Sequence, residues 1–185
     1  MIIAIDYDGT IADTNRQKVR WIRANLGIEV EPWQCNRTDC VPLIGSEAYE
    51  RMGREIYQRK SSLGAPEVPG ALQAVRTLAR TAELHVVTAR PPRIMDYSRE
   101  WLREKDLMGC LAGIVSSDGS AKSELCAAIG ARVLIDDDIR HLRDVELEGL
   151  VRIYLQEGRR DIPECGPGVV FCRSWEGVVR VVGGL

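Results

Sequence analysis

A chain of 185 residues with 45% hydrophobic side chains suits a single domain with a sizeable core and room for a small accessory lobe. Its net charge of −2 gives no strong field of either sign, so neither a nucleic-acid polymer nor an anionic membrane is the expected partner. No stretch approaches the ~18 consecutive apolar residues of a bilayer span and no basic segment precedes the first apolar run, so a cytoplasmic protein is expected.

The chain opens on an apolar run, residues 2–5, that meets Asp6-Tyr7-Asp8-Gly9-Thr10 at once. The run lacks the alternation of a half-exposed strand and reads as a strand buried on both faces. Asp6 and Asp8 stand at i and i+2 on an extended segment and project to the same side. Two carboxylates so placed resist joint ionisation unless a cation is present or one keeps its proton. A pair of solvated loop aspartates is the plain alternative.

Residues 7–83 separate this run from the next, far more than one crossover helix needs. The insert reads as a helix over 15–26, a polar loop over 29–42, a helix over 46–59 and a Gly/Pro-rich stretch over 64–70. We read residues 15–66 as a small helical cap, and 1–14 with 67–185 as the core domain. Within the loop, Trp33, Asn36 and Arg37 are candidates to stack on and hydrogen-bond a substrate; a loop packed by its own side chains is the other reading. The six cysteines are scattered and read as free thiols. Cys35 and Cys40 are the one suggestive pair, but zinc there would need two further ligands, and His85 and His141 fall in unrelated segments.

From residue 71 onward helical and strand patterns alternate. Helical spacing runs over 71–79 (Leu72, Val75, Leu78, Ala79), 93–105, 122–129 and 139–147. Apolar, β-branched runs cover 84–87, 113–115, 133–135, 151–155 and 169–171. This alternation implies a doubly wound, mainly parallel α/β sheet, whose ligands lie beyond the carboxyl ends of the strands. The second run ends in Thr88-Ala89-Arg90, the third in Ser116-Ser117-Asp118-Gly119 and the fourth in Asp136-Asp137-Asp138. One sheet edge thus gathers carboxylates and hydroxyls, and helix N-termini aimed at it favour an anion. A hard divalent cation with oxygen ligands relieves the crowding of acids, and magnesium is the expected one beside a phosphate. Taken alone, Thr88 is a strand end or helix cap and Lys122 a surface lysine; their position relative to Asp6 and Asp136 gives them meaning. Arg90 is a candidate to reach a phosphate or a base, with a surface salt bridge as the other reading. Trp101, Leu102 and Trp175 read as core or cover, and Asp118 as a turn residue.

These residues resemble the four-motif pattern of the haloacid-dehalogenase-like hydrolases. Ile2-Ile3-Ala4-Ile5-Asp6-Tyr7-Asp8-Gly9-Thr10 is similar to the first motif, Val86-Val87-Thr88 to the second, Lys122 to the third, and Val133-Leu134-Ile135-Asp136-Asp137 to the fourth. The match covers nearly the whole chain in the correct order, and the Pro69-Gly70 turn is also common in that family. The resemblance implies a magnesium-dependent phosphatase in which Asp6 attacks phosphorus to form an aspartyl-phosphate and Asp8 acts as general acid/base. It implies magnesium held by the Asp6 carboxylate, the Asp8 carbonyl and Asp136, with Asp137 binding a metal water or orienting Lys122. Thr88 and Lys122 would hold the phosphoryl oxygens. Strands one and four should be neighbours, and the insert corresponds to a helical cap in the C1 position, over a small phosphate ester. Dehalogenases of the family lack the second aspartate of the first motif, here Asp8, which argues against dehalogenation. Thr88-Ala89-Arg90-Pro91 and Leu134-Ile135-Asp136-Asp137 are also similar to the 5'(3')-deoxyribonucleotidase-like branch, making nucleotides candidate substrates.

Two other functions compete. A phosphotransferase or phosphomutase would use the same motifs. A receiver-type signalling module also clusters aspartates, Thr and Lys around magnesium, but there the acid pair comes first and a lone phosphoacceptor follows. Here the acid pair follows Lys122, and the insert has no place in a receiver.

Overall fold

The structure, a computed structural model, describes residues 1–143, 145 and 147–185. Six strands, β1 (Ile2–Ile5), β2 (Glu83–Thr88), β3 (Gly113–Ser116), β4 (Val133–Asp136), β5 (Val151–Leu155) and β6 (Val169–Cys172), form one sheet in the order β3-β2-β1-β4-β5-β6. Every pairing is parallel. Ile5 stands opposite Val86 on one side and Ile135 on the other, so the carboxyl ends of β1, β2 and β4 lie level. Strand order changes direction between β1 and β4, where open α/β sheets leave a crevice. The expected neighbourhood of strands one and four is therefore present.

Eight α-helices occur among the described residues: α1 (Thr14–Leu26), α2 (Arg37–Ile44), α3 (Ser46–Ile56), α4 (Arg59–Leu63), α5 (Ala71–Leu78), α6 (Met95–Glu104), α7 (Lys122–Ile129) and α8 (Trp175–Gly183). Alternate residues of the strands feed opposite layers. Ile3, Ile5 and Ile135 join α5, α6 and α8 in one apolar cluster, while Ala4, Leu134 and Tyr154 join Cys126 of α7 in another. Burial on both faces explains why the strands read as continuous apolar runs rather than alternating ones.

The chain between β1 and α5 carries α1 to α4; α1, α2 and α3 pack around a third cluster that includes Trp21, Ile22, Cys35, Cys40, Met52 and Ile56, while Leu63 of α4 packs on the first. Two linkers join this segment to the sheet and are hydrogen-bonded to each other: Asp13 N–H donates to Pro66 O (2.7 Å) and Val68 N–H to Ile11 O (2.9 Å). Indole N–H groups fix the same linkers, Trp101 to Ala65 O (2.8 Å) and Trp175 to Thr10 O (2.9 Å).

The polar loop expected over 29–42 is half helix. The Asn36 side chain accepts from Asp39 N–H at 3.0 Å and so caps α2, and the helix carries Pro42 inside it. The helix expected over 46–59 breaks at Tyr57-Gln58 into α3 and α4. Over 139–147 the structure forms only a short 3-10 turn, Ile139–His141; Leu142, Val145 and Leu147 pack on the second cluster, and Asp144 and Glu146 lie outside the described residues. All six cysteines are free, and burial pushes Cys35 up to about 12, a neutral thiol that packs as a small apolar group. No helix among the described residues is long and apolar enough to cross a membrane.

Candidate active site

The carboxyl ends of β1, β2 and β4 converge on a cavity of about 160 Å3. Asp6 follows the last residue of β1, and its N–H donates to Ile135 O of β4 at 2.9 Å. Asp136 ends β4, Thr88 ends β2 and Lys122 opens α7. Lys122 is buried, and its Nζ donates to Asp6 Oδ1 at 2.5 Å and to Asp136 Oδ2 at 2.6 Å. One ammonium thus bridges the two strand ends. Asp6 Oδ2 also accepts from Thr10 Oγ1 at 3.3 Å.

Asp136 is further held by His141 Nδ1 at 3.1 Å and by the Asp138 N–H at 2.9 Å. Burial would raise its pKa, but Lys122 and His141 outweigh burial and hold it at about 2. Asp6 goes the other way. Burial lifts it to about 6, Lys122 opposes the rise, and the charges of Asp136 and Asp8 add to it. Asp6 shares the ammonium but lacks the additional donors that secure Asp136. Asp137 is raised well above the ordinary carboxylate value by burial, then by Asp6 and Asp136. One carboxylate oxygen from each of Asp6, Asp136 and Asp137 lies within 4.8 Å of the others. Three hard oxygen donors, two of them pushed toward protonation by burial and then by repulsion from neighbouring acids, fit a small divalent cation.

Asp137 does not touch Lys122. Its Oδ2 accepts from Asn15 Nδ2 at 2.6 Å, and its backbone O from Gln156 Nε2 at 2.5 Å. Asn15 belongs to α1, so the segment between the linkers reaches directly into the acid cluster. The turn after β1 makes room for this contact. Gly9 has φ of +84°, and a methyl there would overlap both the Asp137 carboxylate and the Asn15 amide. Replacing Gly9 by Ala is expected to cost at least about 1–2 kcal/mol for the backbone conformation alone. Thermal denaturation should show a Tm lower by about 2–8 °C.

Asp8 is held in a way the sequence did not indicate. Arg90 Nε and Nη2 each donate to one Asp8 carboxylate oxygen at 2.7 Å, a bidentate pair. Arg90 is buried, not a surface cation; its Nη1 donates to Ser62 Oγ of α4 at 3.1 Å, and its guanidinium lies 4.8 Å from the Tyr7 ring centroid and 5.2 Å from that of Tyr57. Thr88 lines the cavity, its Oγ1 accepting from Arg90 N–H at 3.2 Å.

The structure therefore brings together Asp6, Asp8, Thr88, Arg90, Lys122, Asp136 and Asp137. It does not bring Trp33 or Arg37 to the cavity. Arg159 sits over the Trp33 ring at 5.8 Å, and Arg37 is exposed, 5.6 Å from the Tyr49 ring centroid and 4.0 Å from Glu50. Of that trio only Asn36 lines the cavity. Lys18, Tyr49, Tyr57 and His141 also line it and were not read as site residues. A signal existed for one of them: Asn15, Lys18 and Ile22 fall on a single buried stripe of α1, where a lysine is out of place unless it has work there.

No family model and no curated protein matches the sequence. Solved structures do match. A haloacid-dehalogenase-like family hydrolase from Streptococcus pneumoniae aligns with a TM-score of 0.65 at 13% identity, covering 98% of this chain and 97% of that one. A haloacid-dehalogenase-like hydrolase from Bacillus subtilis, bound to magnesium, aligns at 0.60 and 15% identity over 98% and 97% of the two chains. An L-2-haloacid dehalogenase from Xanthobacter autotrophicus, with chloropropionic acid covalently bound, aligns at 0.59 and 12% identity over 100% and 98%. With strand order, strand-end residues and whole-chain superposition in agreement, this chain has the haloacid-dehalogenase-like hydrolase fold.

Proposed function

We propose that the protein is a magnesium-dependent phosphatase acting on a small phosphomonoester through an aspartyl-phosphate. The observation that carries this reading is the Lys122 ammonium joining Asp6 to Asp136 across adjacent strand ends, with Asp137 close by. Asp6 is the nucleophile: its oxygen forms a bond to phosphorus as the ester P–O bond breaks, and the leaving oxygen takes a proton from Asp8. Asp8 then accepts a proton from the water that attacks the phosphoenzyme, and the Asp6–phosphorus bond breaks to release phosphate. Lys122 and Thr88 hold the phosphoryl oxygens, and Asp6, Asp136 and Asp137, with the Asp8 carbonyl, would hold the cation. Magnesium bound there would neutralise charge on the transferring group.

Asp8 can take up a proton and hand it on only after its pair with Arg90 opens. Arg90 is tied to Ser62 and Tyr57, both on the segment that we read as a cap, so cap movement and release of Asp8 would be coupled. The cavity of about 160 Å3 supports a small ester over a nucleotide, because sites for drug-sized ligands and cofactors run to ~300–1,000 Å3.

Phosphate release from a panel of aryl, sugar, hydroxy-acid and nucleotide monophosphates, with magnesium and with EDTA, tests the proposal. Release that depends on magnesium is expected. Transfer to an added acceptor without net release would replace hydrolase by phosphotransferase, and no turnover of any ester would overturn the reading.

A further inference from the structure

Each basic group in or beside the cavity has a carboxylate partner, with one exception among the described residues. Lys122 pairs with Asp6 and Asp136, Arg90 with Asp8, Arg140 with Asp138, and His141 with Asp136. Lys18 has none. It is 8% exposed, and its Nζ donates only to Asn15 Oδ1 at 3.2 Å and to Cys35 O at 3.5 Å, both neutral oxygens at long range. Burial alone would strip the charge from such an ammonium. Asp137, which reaches the lysine only through the Asn15 amide, acts against burial, and the lysine stays protonated with its pKa raised.

A buried ammonium with no carboxylate in contact is costly, and a charge of opposite sign entering the cavity would relieve it. The transferring phosphoryl group has its own cations in Lys122 and the metal. Lys18 reaches the cavity from α1, beside Tyr49 and Tyr57 of the helical segment, whose phenols can donate to an anion. One ammonium without a contacting carboxylate matches one incoming negative charge, and the cavity is small.

We propose that Lys18, with Tyr49 and Tyr57, forms a subsite for a second acidic group of the substrate, a carboxylate, so that the ester is a phosphorylated small hydroxy acid. This rests on the phosphatase reading for the identity of the first group, but its test does not require turnover. The background is Asp6→Asn, and the probes are phospholactate and isopropyl phosphate, which differ by a carboxylate in place of a methyl group. Calorimetry with magnesium should show phospholactate bound at least about 10-fold more tightly, the scale of a charge-assisted hydrogen bond. Adding Lys18→Met should collapse that ratio toward one. Lys18→Gln serves the same purpose and guards against misfolding of the methionine variant. A purely structural role for Lys18 would weaken both ligands by the same factor and leave the ratio unchanged, which would overturn the proposal. Equal affinities in the parent would overturn it too, as would failure of both probes to bind. Tighter binding of propane-1,2-diyl bisphosphate than of phospholactate would replace carboxylate by phosphate as the second group and overturn the assignment. Loss of the phosphatase reading would show separately, as intact wild-type protein releasing no phosphate from esters that it binds.

Discussion

Asp6→Asn is expected to reduce phosphate release by at least about 10^4-fold, the order seen when a covalent nucleophile is removed while the rest of a site stays in place. Asparagine has nearly the shape of aspartate: its carbonyl oxygen can take the place of Oδ1 and accept from Lys122, and its amide nitrogen, in the place of Oδ2, can donate to Thr10 Oγ1. The fold should therefore survive. The crowding around Asp6 strengthens that expectation. Burial lifts its pKa to about 6, so the ionised form is held at a cost that a neutral amide does not carry. Lys122 retains Asp136 as its counter-ion. The Tm of the variant without magnesium should lie within a few degrees of the wild type, which separates chemical loss from unfolding. Acid-quenched wild type should carry labelled phosphate during turnover and the variant none. Retention of full activity would remove Asp6 as nucleophile and the aspartyl-phosphate with it.

The fold was legible because its strands are buried on both faces. A parallel strand under helices has no solvent side, so 2–5, 84–87, 113–115, 133–135, 151–155 and 169–171 read as apolar runs, and all six are strands. The residues following those runs were legible for the same reason: polar groups that abruptly end an apolar strand mark its exit from the core. What was not legible has two physical sources. One is local. The helix Arg37–Ile44 holds Pro42 and little amphipathic pattern, and it starts because Asn36 caps it, a signal easily read as a turn. The other is partnership across the fold. Arg90 reads as a substrate contact or a surface salt bridge until β2 is placed beside β1 and its fork meets Asp8. Lys18, Tyr49 and Tyr57 come from different parts of the insert and meet only because α1, α3 and the break after α3 pack together. Motifs at strand ends are set by the sheet; the residues facing them from the insert are set by packing, which spacing along the chain does not encode.

Lys122→Met tests that partnership most severely. Lys122 is 3% exposed and bridges two buried carboxylates, so its removal leaves Asp6 with only the Thr10 hydroxyl, and Asp136 with His141 and one backbone N–H. Breaking a buried ion pair by deleting one partner costs about 3–5 kcal/mol. For a chain of this size, that corresponds to a Tm lower by about 6–20 °C. Magnesium should partly reverse the loss. In the wild type the ammonium would compete with a bound cation for Asp6 and Asp136; in the variant that competition would be gone, and the cation would be the remaining counter-charge. A ligand at 100 times its dissociation constant stabilises by about 2.7 kcal/mol, so the Tm rise on adding magnesium should be larger in Lys122→Met than in wild type. Activity should nonetheless fall by about 10^2–10^3-fold, the usual effect of losing one donor to a charged transition state. Differential scanning calorimetry with EDTA and with excess magnesium measures the first effect, and kcat under saturating magnesium measures the second. In the Lys122→Met, Asp136→Asn double variant the cost of losing the lysine should shrink, because only Asp6 is then left without its partner. An unchanged Tm in the single variant, or an equal magnesium response in variant and wild type, would show that the acids at the ends of β1 and β4 do not depend on this bridge.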